Sequence, residues 1–303
     1  MPEQATVRRR GLDHDLFPFR TIRDAVPFRL PDDARIAFNL IVVLQRFHIE
    51  AKPPFPVPGM IDRPYPDVGN TTQREVGLRS GFWRIRDAVE QLGISATFVV
   101  ERDALALLEG DLDILRNGRH DVVAGGLHAA RLHTAAMSVD EEREIIRDCR
   151  DTLTRTLGRP VTGWRSPSCA QSPATLDLLA EEGFAYCGDY NNDDRPYVMA
   201  AKTANLVAMP MHHFSSDLHN LIVMKQPTEM FFDSIEKGAR WILGRKTEPA
   251  IVLPLVVHPW ITGVPHRFHR FKSFLADLLK LEGLVSTSCG RLAGVFAKGR
   301  PGT

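Results

Sequence analysis

A lone imidazole closes a long apolar run: Ile251 to Val257 leads directly into His258-Pro259-Trp260, with Gly263-Val264-Pro265 a few residues on. A run of that composition, broken only by Pro254, reads as a strand buried on both faces. His258 then falls at the strand's C-terminal mouth, where α/β folds carry their chemistry. An imidazole accepts a proton at neutral pH, and a neighbouring carboxylate can tune it, so His258 is the first candidate for a general base. Arg165 ends a second apolar stretch, Val161 to Trp164, just before Ser166-Pro167. A guanidinium there suits an anionic or carbonyl-rich ligand, or the orientation of a carboxylate. Asp189 is the candidate carboxylate. Asp193 and Asp194 are weaker bases, because Asn-Asp-Asp followed by Arg-Pro also describes a polar turn.

Elements that could hold these residues alternate along the chain. Arg35 to Leu44 reads as a central strand. Ala51 to Val68 then places six prolines in eighteen residues, too many for a helix or a sheet interior, and reads as a lid loop at the mouth. A helix from Gly81 to Leu92, a strand from Ser95 to Val100, a helix from Ala104 to Arg116 and a strand from His120 to Ala124 follow. Ser138-Val139-Asp140-Glu141 has capping-box spacing for a helix over Val139 to Leu157, closed by Gly158. Helices at Pro173 to Glu182, Phe231 to Leu243 and His269 to Glu282, with a strand at Gly183 to Cys187, complete the alternation. Such an order implies parallel pairing through right-handed crossovers. A distorted parallel α/β barrel of seven or so strands is expected over residues 35–298, behind an N-terminal arm over residues 1–34; an open doubly wound sheet is the alternative.

Composition narrows the function. Thirty-eight Lys and Arg against thirty-seven Asp and Glu leave no one-signed field, so a nucleic-acid partner has no electrostatic support. No window approaches the roughly 18 apolar residues of a membrane span, and the N-terminus has no leader-like apolar stretch, so a cytoplasmic protein is expected. Four scattered cysteines without a CxxC pair point to neither a disulfide framework nor a thiolate zinc site. The expected partner is a small-molecule substrate, in a homo-oligomer.

Several phrases together resemble the polysaccharide deacetylases of the carbohydrate esterase type, and most closely their allantoinase-like, cyclic-amide hydrolase branch. They are Gly81-Phe82-Trp83-Arg84, Gly93-Ile94-Ser95-Ala96-Thr97-Phe98, Gly163-Trp164-Arg165-Ser166-Pro167-Ser168, Asp189 to Tyr197, and His258-Pro259 with Gly263-x-Pro265. The resemblance implies a distorted parallel barrel with its site at the strand C-termini. It implies that Glu75, Arg79 and Trp83 line that site. It also implies an acidic residue near Phe214, where this chain has His212-His213.

Members of that family hold a divalent metal with an acidic residue after the first strand and two histidines of an HxxxH phrase; the metal polarises the carbonyl and activates water. Here Gln45 stands at the acidic position, and Gly125 and Ala129 at the histidines. Neither glycine nor alanine supplies a donor, and a neutral amide is a poor zinc ligand. No metal is therefore expected at the usual positions. A rebuilt zinc site through His128 or His258, with His133, His48 or Glu50 nearby, is the alternative. The expected catalytic group is His258, Asp189 and Arg165, with Gln45, Glu75, Arg79, Trp83, His128, Asn192, Asp193 and Trp260 contacting substrate. The implied activity is metal-independent or atypically metallated hydrolysis of a C–N bond in a small cyclic amide, imide or ureide. A binding protein, or a lyase or isomerase of specialised metabolism, is the alternative.

Overall fold

Nine consecutive buried residues, Ile36–Leu44, form the central strand β1 of a curled, mostly parallel sheet. The structure is a computed structural model that describes residues 14–23, 29–50, 66–108, 112–245 and 249–298. Along one side of β1 runs β8 (Ile251–Val257), with Ile36 opposite Ile251 and Val42 opposite Val257. The other side is shared: β9 (Leu284–Ser286) pairs with Ile36 to Phe38, and β2 (Ala96–Val100) pairs with Leu40 to Leu44. From β2 the sheet continues in parallel through β3 (Asp121–Ala124), β4 (Gly163–Trp164), β5 (Tyr186–Cys187) and β7 (Asn205–Ala208). The single antiparallel pairing among the described residues joins β7 to β6 (Tyr197–Ala200).

The far edge of β8 is met by loops instead of a strand. The Val252 N–H donates to the Asp194 carbonyl at 2.8 Å, and Ser216 makes a parallel bridge to Val256. The sheet therefore curls into a barrel that β-pairing does not fully close. An unladdered edge also explains how Pro254, which lacks an N–H, is tolerated inside β8.

Helices clothe the sheet. Their order is α1 (Val68–Val76), α2 (Phe82–Gln91), α3 (Arg102–Leu105), α4 (Asp113–Arg116), α5 (Val139–Leu157), α6 (Thr175–Glu181), α7 (Thr228–Leu243), α8 (Pro265–Leu278) and α9 (Cys289–Lys298). Helix α5 begins where its capping spacing predicts: Ser138 Oγ accepts from the Glu141 N–H at 3.2 Å, and Gly158 ends it with φ of 69°. The expected helix over 104–116 is instead two short pieces, α3 and α4. Helix α1, the β6–β7 hairpin, β9 and α9 are additions to the sequence-based outline. Residues 51–65 of the proline-rich segment, and with them the lid reading, lie outside the described residues, as does much of the expected N-terminal arm.

Two glycines seat α1 and α2 against the turn that follows β8. They flank a π-type turn, Gly77–Gly81, that joins the helices. A Cβ on Gly77 would come within 2.8 Å of the Trp260 backbone nitrogen, and one on Gly81 would overlap the Pro259 carbonyl. Only bare backbone allows this approach, and it fixes the turn carrying His258, Pro259 and Trp260.

Candidate functional site

Parallel register puts the residue after each strand on one rim. The N–H groups of Glu101, Gly125, Arg165 and Gly188 bond the carbonyls of Leu44, Val100, Ala124 and Trp164, each on the neighbouring strand. Gln45, Glu101, Gly125, Arg165, Gly188 and His258 therefore surround one mouth, at the C-terminal end of the sheet, with Asp189 next after Gly188.

His258 is buried there in partnership with Asp217, a residue absent from the sequence-derived set. Its Nδ1 lies 2.6 Å from Asp217 Oδ1, and its backbone N–H donates to Oδ2 at 2.8 Å. The Thr262 hydroxyl donates to the same Oδ2 at 2.7 Å. Asp217 and Thr262 are both fully enclosed. Asp217 comes here because Ser216 bridges Val256, which aligns the next residue with the end of β8. A carboxylate accepting at Nδ1 keeps the proton on that nitrogen, so Nε2 carries the lone pair, and Nε2 has no partner among the described residues. The expected orientation of His258 by Asp189 is corrected. The Asp189 carboxylate accepts instead from the Ser166 N–H (2.7 Å), the Ser166 hydroxyl (2.7 Å) and the Gln171 amide (2.6 Å), and so braces the loop after β4.

The rest of the mouth is rich in buried donors without acceptors. Arg165 is buried beside Cys169 and His213, and its Nε has no hydrogen-bond partner. Trp260 packs edge-on to His258 with ring centroids 6.4 Å apart, and its indole N–H is equally unpartnered. Arg74, on the inward face of α1, lays its guanidinium over Phe47 at 4.9 Å and over Trp260 at 5.7 Å. Its Nε is unpartnered too. Burial pulls its pKa down, partly opposed by Asp67.

Two strands along from His258 stands a second residue that sequence reasoning missed. Glu101 follows β2 and accepts the Arg46 N–H at 2.6 Å, with Gln45 and the Ala129 backbone as further donors. Burial raises its carboxyl well above the ordinary range; the three donors only partly offset this. Gln45, expected to touch substrate, is thus engaged with Glu101. At the family's usual metal positions the residues do not fit an ion. Gln45 donates to Glu101, a Cβ on Gly125 would meet the Glu101 nitrogen at 3.1 Å, and Ala129 buries a methyl group.

Other expected contacts lie elsewhere. Glu75 and Arg79 pair with one another at 3.5 Å, Glu75 also binds Arg46, and the Arg79 side chain is 78% exposed. Trp83 packs on Phe82 beneath Arg86. Asn192 and Asp193 line a separate cleft of about 430 Å³ with Phe17, Tyr197 and Phe296. There Asn192 accepts the Tyr197 hydroxyl at 2.7 Å, and Asp193 lies 3.5 Å from Arg195. His133 turns inward onto Glu142 at 2.8 Å, whereas His128 faces the His48 ring.

No protein-family model and no curated protein matches the chain by sequence. The fold, however, is that of the polysaccharide deacetylases, as the resemblance implied. Two solved structures share it over nearly the whole chain. One is the probable polysaccharide deacetylase of Pseudomonas aeruginosa PAO1, with a TM-score of 0.83 and 19% identity, covering 95% of this chain and 100% of that one. The other is Puue allantoinase, with a TM-score of 0.80 and 21% identity, covering 95% of this chain and 99% of that one. No helix among the described residues is long and apolar enough to cross a membrane.

Proposed function

We propose that this protein hydrolyses a C–N bond in a small cyclic amide, imide or ureide, with His258 as the general base. The carrying observation is the His258–Asp217 pair, whose geometry leaves Nε2 as the acceptor at the strand-end mouth. The resemblance to a deacetylase and an allantoinase supports hydrolysis as the reaction class.

In this reading Nε2 takes a proton from water as the water oxygen bonds the carbonyl carbon. The imidazolium so formed is stabilised by Asp217. Negative charge then develops on the former carbonyl oxygen, where Arg165 and the Trp260 indole N–H supply donors otherwise unsatisfied. The proton on Nε2 passes to the leaving nitrogen, the C–N bond breaks, and the ring opens to a carboxylic or carbamic acid and an amine or amide. Arg74 holds a second carbonyl or a carboxylate of the substrate, since an unpaired buried guanidinium is costly until an acceptor meets it. Asp189 positions the Arg165 loop through Ser166.

The test is a panel of hydantoins, cyclic imides, allantoin and simple acetamides, incubated with the purified full-length protein with and without added zinc. Acid, amine and ammonia release are followed. Turnover of at least one ring substrate is expected. No turnover on any of them would overturn hydrolysis in favour of a binding, lyase or isomerase role.

A further inference from the structure

We propose that His48, Asp103 and His128 form a divalent-metal site distinct both from the family's usual ligand positions and from the His258 mouth. His48 and His128 come from the loops after β1 and β3, and Asp103 from α3, the short helix that follows β2. Each offers one ligand atom, and these atoms lie within 4.8 Å of one another, the only such group among the described residues. His48 Nε2 already approaches Asp103 Oδ2 at 2.8 Å, and the two imidazole rings meet edge-on with centroids 4.8 Å apart. His128 Nδ1 accepts the Ala130 N–H at 3.3 Å, which leaves Nε2 as its ligand atom.

The segments bearing these ligands are tied together by the backbone, so the site is held before any ion arrives. Ala129 N–H donates to the Arg46 carbonyl at 3.3 Å, Asp103 N–H to Leu127 at 3.0 Å and Arg102 N–H to Gly126 at 2.9 Å. Around the ligands, Arg102 Nη1 donates to Asp103 Oδ1 at 2.8 Å and so leaves Oδ2 for the ion. The charge of Arg102 is itself matched by Asp148 at 2.9 Å. Buttressing of a ligating carboxylate in this way is typical of metal sites.

Two imidazoles and one carboxylate select a borderline cation such as Zn²⁺ or Co²⁺ over Mg²⁺ or Ca²⁺. Tetrahedral bonds of about 2.0–2.2 Å set ligand atoms roughly 3.4 Å apart, so an ion would part His48 Nε2 and Asp103 Oδ2 slightly from their 2.8 Å contact, by small side-chain rotations. Three protein ligands leave one position open, and the His48 side chain, 38% exposed, lies on a cleft of about 510 Å³ that also includes Arg46 and Arg102. The open position therefore admits water or an anionic ligand.

The experiment uses untagged full-length protein, stripped with a chelator and dialysed against Zn²⁺ or Co²⁺. Bound metal is counted by elemental analysis, and the visible absorption of Co²⁺ reports its coordination. One ion per chain is expected, with a nitrogen–oxygen ligand spectrum. His128→Ala and Asp103→Asn should each weaken binding by at least about 10-fold, with far-ultraviolet circular dichroism confirming the fold. His48→Ala, at the partly exposed ligand, gives the same test should either variant misfold. His219→Ala, which removes one of a tilted histidine pair, His213 and His219, should bind as the parent does. Absence of stoichiometric binding would overturn the site, as would binding that survives in all three ligand variants or disappears with His219.

Discussion

Replacing Asp217 with asparagine keeps the shape of the side chain but cannot keep its three hydrogen bonds. The carboxylate receives the His258 ring and backbone nitrogens at 2.6 and 2.8 Å and the Thr262 hydroxyl at 2.7 Å. An amide has one oxygen and one NH₂ group. If its oxygen faces Nδ1, its NH₂ confronts the His258 backbone N–H, donor against donor. If it flips, the NH₂ donates to Nδ1 and drives the ring proton to Nε2, where His258 can no longer accept one. Either arrangement forfeits at least one charge-assisted bond, worth about 1.5–3 kcal/mol, in a fully enclosed site. Loss of the correct tautomer costs proton transfer about 10²–10⁴-fold, or about 2.7–5.4 kcal/mol of barrier. Two assays read these effects separately: kcat/KM on a ring substrate identified from the panel, and nitrogen NMR of the His258 ring in parent and variant. The reasoning predicts a proton on Nδ1 in the parent, its loss or mixture in Asp217→Asn, and the stated drop in turnover. An unchanged tautomer with unchanged turnover would refute it.

Arg74→Met preserves the stack on Phe47 and Trp260 while removing the charge; KM should rise about 10–100-fold with a smaller change in kcat, measured by steady-state kinetics on the same substrate. Gly81→Ala drives a methyl into the Pro259 carbonyl and should cost about 1–3 kcal/mol in urea unfolding, with activity falling as the His258 turn shifts. Glu101 gives a pH signature. Burial raises its folded pKa above 4.5, so its favourable contribution is full below that pH and is lost as pH rises through the raised value. Unfolding curves across pH should therefore show Glu101→Gln gaining stability relative to the parent as pH climbs above 4.5, and a flat difference would contradict the assignment.

How much of this was legible beforehand differs between fold and site. Strands β1, β2 and β8 were visible because strands buried on both faces read as near-continuous apolar runs, and α5 because Ser138 and Gly158 mark both its ends. The short strands β6, β7 and β9 carry no such run. Helix α1 hides behind proline-rich sequence, its start marked only by Asp67 capping the Asn70 N–H. Missing α1 also misplaced the inward residue by one position. A step of 100° around the helix separates Glu75 from Arg74, which shares with Gly77 the face against Trp260. His258 was found because a strand end advertises it. Its partner was not, because Asp217 sits in an irregular segment that only a β-bridge at Ser216 carries into the site. The expectation of an acidic residue near Phe214 was the available signal, three positions short. Glu101 occupies the same strand-end position as Gln45 one strand over, and the comparison with the family drew attention to Gln45, Gly125 and Ala129 and not to it.

The account rests on His258 acting as the base at this mouth. Its most direct test is single-turnover hydrolysis of a ring substrate by the parent and by His258→Ala, with the variant's fold confirmed by circular dichroism. The account predicts a loss of about 10²-fold or more in the rate of the chemical step while the substrate still binds. A folded His258→Ala variant that opens the ring at the parent rate would contradict it.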